Sequence, residues 1–182
     1  KMGYAIAEQA INEGAEVILI SGPTSLTPPV GCTLIPVVST KDMYDAVLSN
    51  LDVDVIIKAA APADYKPAHY SESKIKKNDS VLNMAFEKNP DILKRVGELK
   101  TNQIVVGFAA ETDDVETYAK RKLLEKNLDF IVANDVTQEG AGFNTDTNIV
   151  TIYDKEGGHI DYTCMEKAEV AKIILNKVIE RL

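Results

Sequence analysis

Apolar residues along this chain follow two rhythms that take turns, and the turn-taking predicts the architecture. Lys1–Glu13 puts Met2, Ile6, Ala10 and Ile11 on one stripe, the spacing of an amphipathic helix, with Gly14 placed to end it. Glu16–Ser21 is a short apolar strand, Gly22–Pro29 a proline-broken loop, and Thr33–Val38 a second strand. Ser39 or Thr40 caps a helix running to about Asn50. Val53–Ala60 is almost continuously apolar at its centre, as strands buried on both faces are. A long polar loop follows, with Val81–Phe86 as a candidate extra strand. Asn89 is placed to cap a helix whose first residue is Pro90. Ile104–Ala109, Asp114–Asn127 and Phe130–Ala133 then predict strand, helix and strand. Asn148–Tyr153 and His159–Tyr162 predict a hairpin across Asp154–Gly158, and Thr163 with Glu166 predicts a capping box for the closing helix.

This alternation predicts an α/β fold: a doubly wound, mostly parallel Rossmann-like sheet with a late antiparallel hairpin, in a single domain over residues 1–182. Such folds ordinarily open on a strand and a turn, whereas residue 1 already has a helical pattern. The first strand and its turn are therefore expected upstream of Lys1. A chain of 182 residues that is 45% hydrophobic can fill one core, and no apolar run approaches the roughly 20 residues of a membrane helix. Cys32 and Cys164 lie far apart with no CxxC spacing, which predicts a reduced, cytoplasmic protein.

The net charge of −8 argues against a nucleic-acid partner. Its distribution points elsewhere. Residues 58–126 carry 13 Lys and Arg against 11 Asp and Glu, so positive charge concentrates around Lys74-Ile75-Lys76-Lys77. A lysine run is ordinarily a solvated face. Here it is flanked by the carboxyl end of a buried strand, Ala60–Tyr65, and by a helix start, Lys88–Leu93. Both are places where α/β proteins hold phosphorylated ligands. A small anionic ligand is the expectation, with the backbone N–H groups of Asp91 and Ile92 as donors, since Pro90 has none. Tyr118-x-x-x-Lys122 copies the catalytic pair of short-chain dehydrogenases, but the position of their serine, about thirteen residues upstream, is Val105.

Taken in order, the segments Lys1-Met2-Gly3, Ile20–Leu26, Ala60–Tyr65, Lys74–Lys77, Lys88–Leu93, Val106–Thr112, Lys122–Asp129, Ala133-Asn134-Asp135 and Gly142-Phe143-Asn144 resemble the phosphopantothenate–cysteine ligases, of the bacterial CTP-dependent type. The resemblance implies ligation of 4′-phosphopantothenate to L-cysteine in coenzyme A biosynthesis, through an acyl-cytidylate formed from CTP with Mg²⁺. It implies Lys74 as the catalytic cation. It places Ala59, Ala60, Asp64, Lys74, Pro90, Asp91, Ile92, Leu93, Phe108, Lys122 and Lys126 around the nucleotide. Phe108 would sit against cytosine, Lys122 and Lys126 near ribose or triphosphate, and Asp64 at a ribose hydroxyl or a Mg²⁺-bound water. Pro62 stands where the family has an apolar, usually valine-like residue. No metal ligand and no role for Asn134 are assigned, and the family's second-step asparagine belongs upstream of Lys1. A homodimer, with the hairpin region as its contact, and a fused or separate decarboxylase domain are also implied. The alternatives are a non-catalytic nucleotide-binding module and a short-chain dehydrogenase.

Overall fold

The computed structural model describes residues 1–69, 71, 73–75, 82–111, 114–135, 137 and 145–182, with Glu111 and Asp135 described at the backbone only. The chain opens with α1 (Met2–Asn12), whose end is a Schellman turn. Gly14 takes φ +89°, and the N–H groups of Gly14 and Ala15 reach the carbonyls of Ile11 and Ala10 at 2.9 and 3.0 Å. β1 (Ile18–Ser21) and β2 (Thr33–Pro36) pair in parallel, and α2 (Thr40–Leu48) follows, closed by a capping box between Ser39 and Asp42. β3 (Val55–Lys58) leads into the long loop, within which β4 (Tyr65–Pro67) and β5 (Phe86–Lys88) form an antiparallel pair. Then come α3 (Ile92–Leu99), β6 (Ile104–Glu111), α4 (Val115–Glu125), β7 (Phe130–Asp135), the hairpin β8 (Thr147–Asp154) and β9 (His159–Glu166), and α5 (Lys167–Ile179).

The central sheet has the order β3-β6-β7-β8-β9, parallel from β3 through β7 and antiparallel from β7 to β9. Helices cover both of its faces. On one, Ile104, Val106, Phe130, Val132, Val150 and Ile152 meet α1 and α5 through Ile6, Val170, Ile174 and Val178. On the other, Val105, Ala109, Ile131 and Ala133 meet α2, α3 and α4 through Tyr44, Ile92, Leu93, Val96, Ala119 and Leu123. Val105 and Val106, like Ile131 and Val132, are consecutive and fully buried because the two faces are both covered. The expected α/β class is therefore observed, with its parallel part divided. Among the described residues β1–β2 makes no backbone ladder to the central sheet. The first turn of α1 touches both, since Tyr4 Oη lies 3.0 Å from Ser21 Oγ at the end of β1 and Gly3 packs against Ala59 just past β3.

Four local expectations are corrected. The extra strand lies at Phe86–Lys88 rather than Val81–Phe86, because its partner is Tyr65–Pro67, which sequence pattern did not mark as a strand. The cap of α3 is Asp91, whose carboxylate accepts the Lys94 N–H at 3.0 Å. Asn89 is instead buried and spends its amide on Ala63 O at 2.8 Å, so Pro90 precedes the helix and is not its first residue. Thr163 lies within β9, since pairing with β8 runs on to Glu166. The capping box of α5 joins Glu166 to Glu169.

One buried carboxylate ties the amino-terminal ends of the central strands together. Asp129 Oδ2 accepts from Lys100 Nζ at 2.7 Å and from the Val105 N–H at 2.8 Å, while Oδ1 accepts from Lys155 Nζ at 2.6 Å. Burial raises its pKa, but the Lys100 and Lys155 bonds and the Val105 N–H outweigh that, and the net shift is downward. A lowered folded pKa gives stability that is present above the usual aspartate value of about 4 and is lost as pH falls through the folded value. Asp129→Ala should cost about 3 kcal/mol at pH 7, by stranding the buried Lys100 ammonium and the Val105 N–H. In urea titrations repeated from pH 7 down to pH 3, the gap between wild type and variant should narrow below about pH 4. A gap that stayed constant would show that the ion pairs contribute nothing to stability.

Candidate nucleotide-phosphate site

The carboxyl end of β3 and the amino end of α3 meet where the sequence concentrates its predicted ligand groups. Asn89 makes that junction. Its backbone N–H donates to Asp64 O at 2.8 Å, and its side-chain amide donates to Ala63 O, so the 60–64 loop is fastened to the start of α3. Asp91 then caps α3 and pairs with Lys126 Nζ at 3.0 Å. Burial raises the Asp91 pKa, and the Lys94 N–H and the Lys126 ammonium more than offset this, holding it below the usual range.

Lys126 is brought there by backbone contact. It is the C-cap of α4, and its carbonyl lies so close to Gly97 of α3 that a Cβ there would sit 1.8 Å from it. Asn127 follows in the left-handed region at φ +50° and donates its amide to Gly97 O at 2.9 Å. Only glycine at 97 lets the end of α4 lie against α3, and that contact puts Lys126 within reach of Asp91.

The structure brings Asp64, Asp91, Lys122 and Lys126 into one electrostatic group, all acting on Lys58, the last residue of β3. Burial first, and then Lys126, lower the Lys58 pKa, with Lys122 adding to the fall while Asp91 and Asp64 oppose it. Lys58 was not among the sequence-predicted residues. The available signal was a lysine closing an otherwise apolar strand. Ala59 and Ala60 continue from it, half-buried and exposed respectively. Ile92 and Leu93 are buried in the core by their side chains, so only their N–H groups, at the first two positions of α3, are available to a ligand. They stand beside the N–H of the cap, Asp91, which is also outside the intrahelical ladder. Pro90 is exposed beside them.

Phe108 is half-buried against the α1/α5 core, on the opposite face of β6 from this group, so the predicted residues gather around the carboxyl edge of the sheet rather than on one side of it. Lys74 is exposed on the loop between β4 and β5, and among the described residues it makes no ion pair with the group. Lys76, Lys77 and Gly142-Phe143-Asn144 lie outside the described residues. Asn134, on β7 opposite Ala110, is buried, and among the described residues its Oδ1 has no hydrogen-bond partner. A cleft of about 590 Å³ lies elsewhere, between α1, the 26–30 segment and the start of α5, and none of the predicted residues lines it. Among the described residues no three His, Cys, Asp or Glu side chains converge as a metal site. Tyr118 is exposed under the Arg121 guanidinium, 4.9 Å from its ring, and Val105 is fully buried, so the dehydrogenase pattern has no site to serve.

This arrangement defines an α/β protein whose charged groups collect at the carboxyl edge of a doubly wound sheet. The family described as DNA/pantothenate metabolism flavoprotein C-terminal domain matches residues 1–182, and the chain belongs to that family. It is 52% identical over 180 residues to the coenzyme A biosynthesis bifunctional protein CoaBC of Bacillus subtilis (strain 168), a match covering 98% of this chain and 44% of that protein. It is 40% identical over 187 residues to the protein of the same name from Escherichia coli (strain K12), covering 100% of this chain and 46% of that protein. The chain thus spans less than half the length of these curated relatives. A crystal structure of the C-terminal domain of coenzyme A biosynthesis bifunctional protein CoaBC aligns with a TM-score of 0.82 at 47% identity, covering 97% of this chain and 80% of that one.

Asp91 has two separable duties, which substitution can divide. Asp91→Ala should lower stability by about 1 kcal/mol through the lost cap, whereas Asp91→Asn should retain most of it, because an amide oxygen still accepts the Lys94 N–H. Urea midpoints of the two variants report this directly. Equal losses would mean that the Lys126 ion pair, not the cap, stabilises the start of α3.

Proposed function

We propose that this chain carries a phosphopantothenate–cysteine ligase, which joins 4′-phosphopantothenate to L-cysteine through an acyl-cytidylate made from CTP. One observation carries the reading. In a family member whose relatives are named for coenzyme A biosynthesis, Asp64, Asp91, Lys122 and Lys126, four of the residues that the resemblance puts around CTP, lie together at the carboxyl edge of the sheet. The substrate carboxylate attacks the α-phosphorus of CTP and pyrophosphate leaves. The cysteine amine then attacks the acyl carbonyl, and CMP leaves.

The first step brings a carboxylate up to a polyphosphate, so fixed positive charge has to offset what accumulates at phosphorus. Lys122 and Lys126 supply it beside ribose and triphosphate, and the N–H groups of Ile92 and Leu93 bind phosphate oxygens at the amino end of α3. Pro90 and Asp91 shape that end. Ala59 and Ala60 are small enough for the nucleotide to approach the backbone, Asp64 holds a ribose hydroxyl or a metal-bound water, and Phe108 lies against cytosine. Lys74 reaches the reacting phosphate from its loop. Bound Mg²⁺ would offset phosphate charge beside Lys122 and Lys126, with Asp64 as the residue that would hold a metal-bound water. Asn134 has an amide oxygen free to accept an N–H of phosphopantothenate. A cytoplasmic homodimer joined to a decarboxylase domain completes the proposal, and relatives of more than twice this length that are called bifunctional support the last point.

The decisive assay uses the full-length protein with phosphopantothenate and Mg²⁺. Pyrophosphate should be released faster with CTP than with ATP, and labelled pyrophosphate should exchange into CTP before cysteine is added. Nucleotide binding without any turnover would favour a non-catalytic module. Lys74→Gln should slow acyl-cytidylate formation by about 10²–10³-fold, with folding stability changed by less than about 0.5 kcal/mol, as befits an exposed loop residue. Normal turnover by the folded variant would remove Lys74 from the chemistry.

A further inference from the structure

β4 and β5 form a two-stranded ribbon whose two faces differ in chemistry. Residues directly opposite each other in an antiparallel pair share a face. Tyr65 lies opposite Lys88 and Pro67 opposite Phe86, so Tyr65, Pro67 and Phe86 stand on one side. Lys66 and Glu87 form an ion pair of 3.0 Å on the other. The pairing runs on past the two strands, where the Ala68 N–H donates to Ala85 O at 2.9 Å, and Met84 and Leu82 continue the Phe86 row at alternate positions. The row is open to solvent: Tyr65 is 60% exposed, Leu82 64%, Met84 49% and Phe86 59%. The side chains of Lys66 and Glu87 are exposed as well, so neither face of the ribbon is packed into a core. A two-stranded ribbon is marginal in water by itself, and a contiguous row of large apolar side chains on a surface marks a contact.

We propose that the Tyr65, Met84 and Phe86 face of this ribbon is where two copies of the chain meet, ribbon stacked on ribbon. This rests on the homodimer of the reading above and says which surface makes it. Size fits a second copy. Side chains of the bulk of Tyr and Phe, half or more exposed, give the row roughly 500 Å² of apolar surface. Two rows laid together bury roughly 1,000 Å², about where specific interfaces begin. Symmetry fits as well. A row set against its own copy about a two-fold axis closes at two subunits, whereas a row set against a different surface of the next molecule would propagate into a filament. Lys88 shares the face only at its base, so an antiparallel stack keeps the two Lys88 ammonium groups at opposite ends. The β8–β9 hairpin, expected from the resemblance as the contact, exposes one large apolar side chain among its described residues, Ile160. The ribbon also stands on the candidate site. β4 follows Asp64 directly, β5 runs into Asn89, and the Asn89 N–H closes the base on Asp64 O at 2.8 Å, while the loop joining the strands carries Lys74. A partner that clamps the ribbon therefore steadies the 60–64 loop and the start of α3 in both subunits at once.

The test places the photo-crosslinker p-benzoylphenylalanine at Met84 of the full-length protein, separates the products on a denaturing gel and maps the links by mass spectrometry. The product should run at twice the chain mass, with links to residues 65–67 or 82–88 of the other copy. Phe86→Asp should lower its yield by about tenfold or more, since the contact would then bury an unpaired carboxylate. Lys66→Ala, on the opposite face, should leave the yield unchanged. Links within one chain to residues outside 1–182 would show that another part of a longer protein covers the row, and would overturn the proposal. Links between chains to any surface other than the ribbon, or no links, would overturn it too. In each of those cases a sedimentation-equilibrium mass of two chains or more leaves the homodimer standing without this face, and the mass of a single chain sinks both.

Discussion

The buried carboxylate of Asp129 is the constraint on which the rest of the sheet depends. It stands just before β7, and its backbone N–H donates to Val105 O at 2.9 Å while its side chain accepts the Val105 N–H. That pair of hydrogen bonds fixes β6 against β7. Lys100, nearly as buried as Asp129, ties in the turn after α3, and Lys155 ties in the tip of the β8–β9 hairpin, where its N–H also reaches Asp129 O at 3.2 Å. Three stretches far apart in sequence, 100–105, 129 and 155, thus meet at one carboxylate. Slippage of any strand by one residue would move its apolar set to the wrong face, so a fixed point at this end sets the register along the whole length.

Register at one end becomes geometry at the other. With β6 and β7 held, α3 and α4 lie against the same face, and Gly97 lets the last carbonyl of α4 rest on α3. Lys126 then meets Asp91, Asp91 caps α3, and the N–H groups of Ile92 and Leu93 face outward at the carboxyl edge. Asn89 adds the 60–64 loop to the same junction. Asp129 and the Asp91–Lys126 pair sit at opposite ends of the sheet, the one satisfied by two ammonium groups and the other joining the cap of α3 to the end of α4.

The elements themselves were legible because their signals are local. The apolar runs at Val105-Val106 and Ile131-Val132 marked strands buried on both faces, and the α1 stripe with Gly14 marked a helix and its end. The lysine-rich segment between β4 and β5 stood out in an acidic chain, and the order of short motifs carried the family. Errors fell where two distant segments compete for one residue. Asn89 has the chemistry of a cap, but Ala63 claimed its amide, leaving the cap to Asp91. Thr163 has the chemistry of a capping box, but cross-strand pairing with β8 kept it in a strand.

The sequence by itself determined the α/β class, the hairpin, the family and the stretch of chain in which the lysines concentrate. Those follow from side-chain period, turn chemistry and residue order, all of which act within a few residues. Only the tertiary structure decided that Lys126 pairs with Asp91, that Phe108 faces the other way, and that Ile92 and Leu93 offer backbone donors alone. Each of these depends on which face of the sheet a side chain leaves from and on how closely α3 and α4 cross it. That closeness is set by long-range contacts, Gly97 against Lys126 and Asp129 against Lys100 and Lys155, which no local pattern encodes.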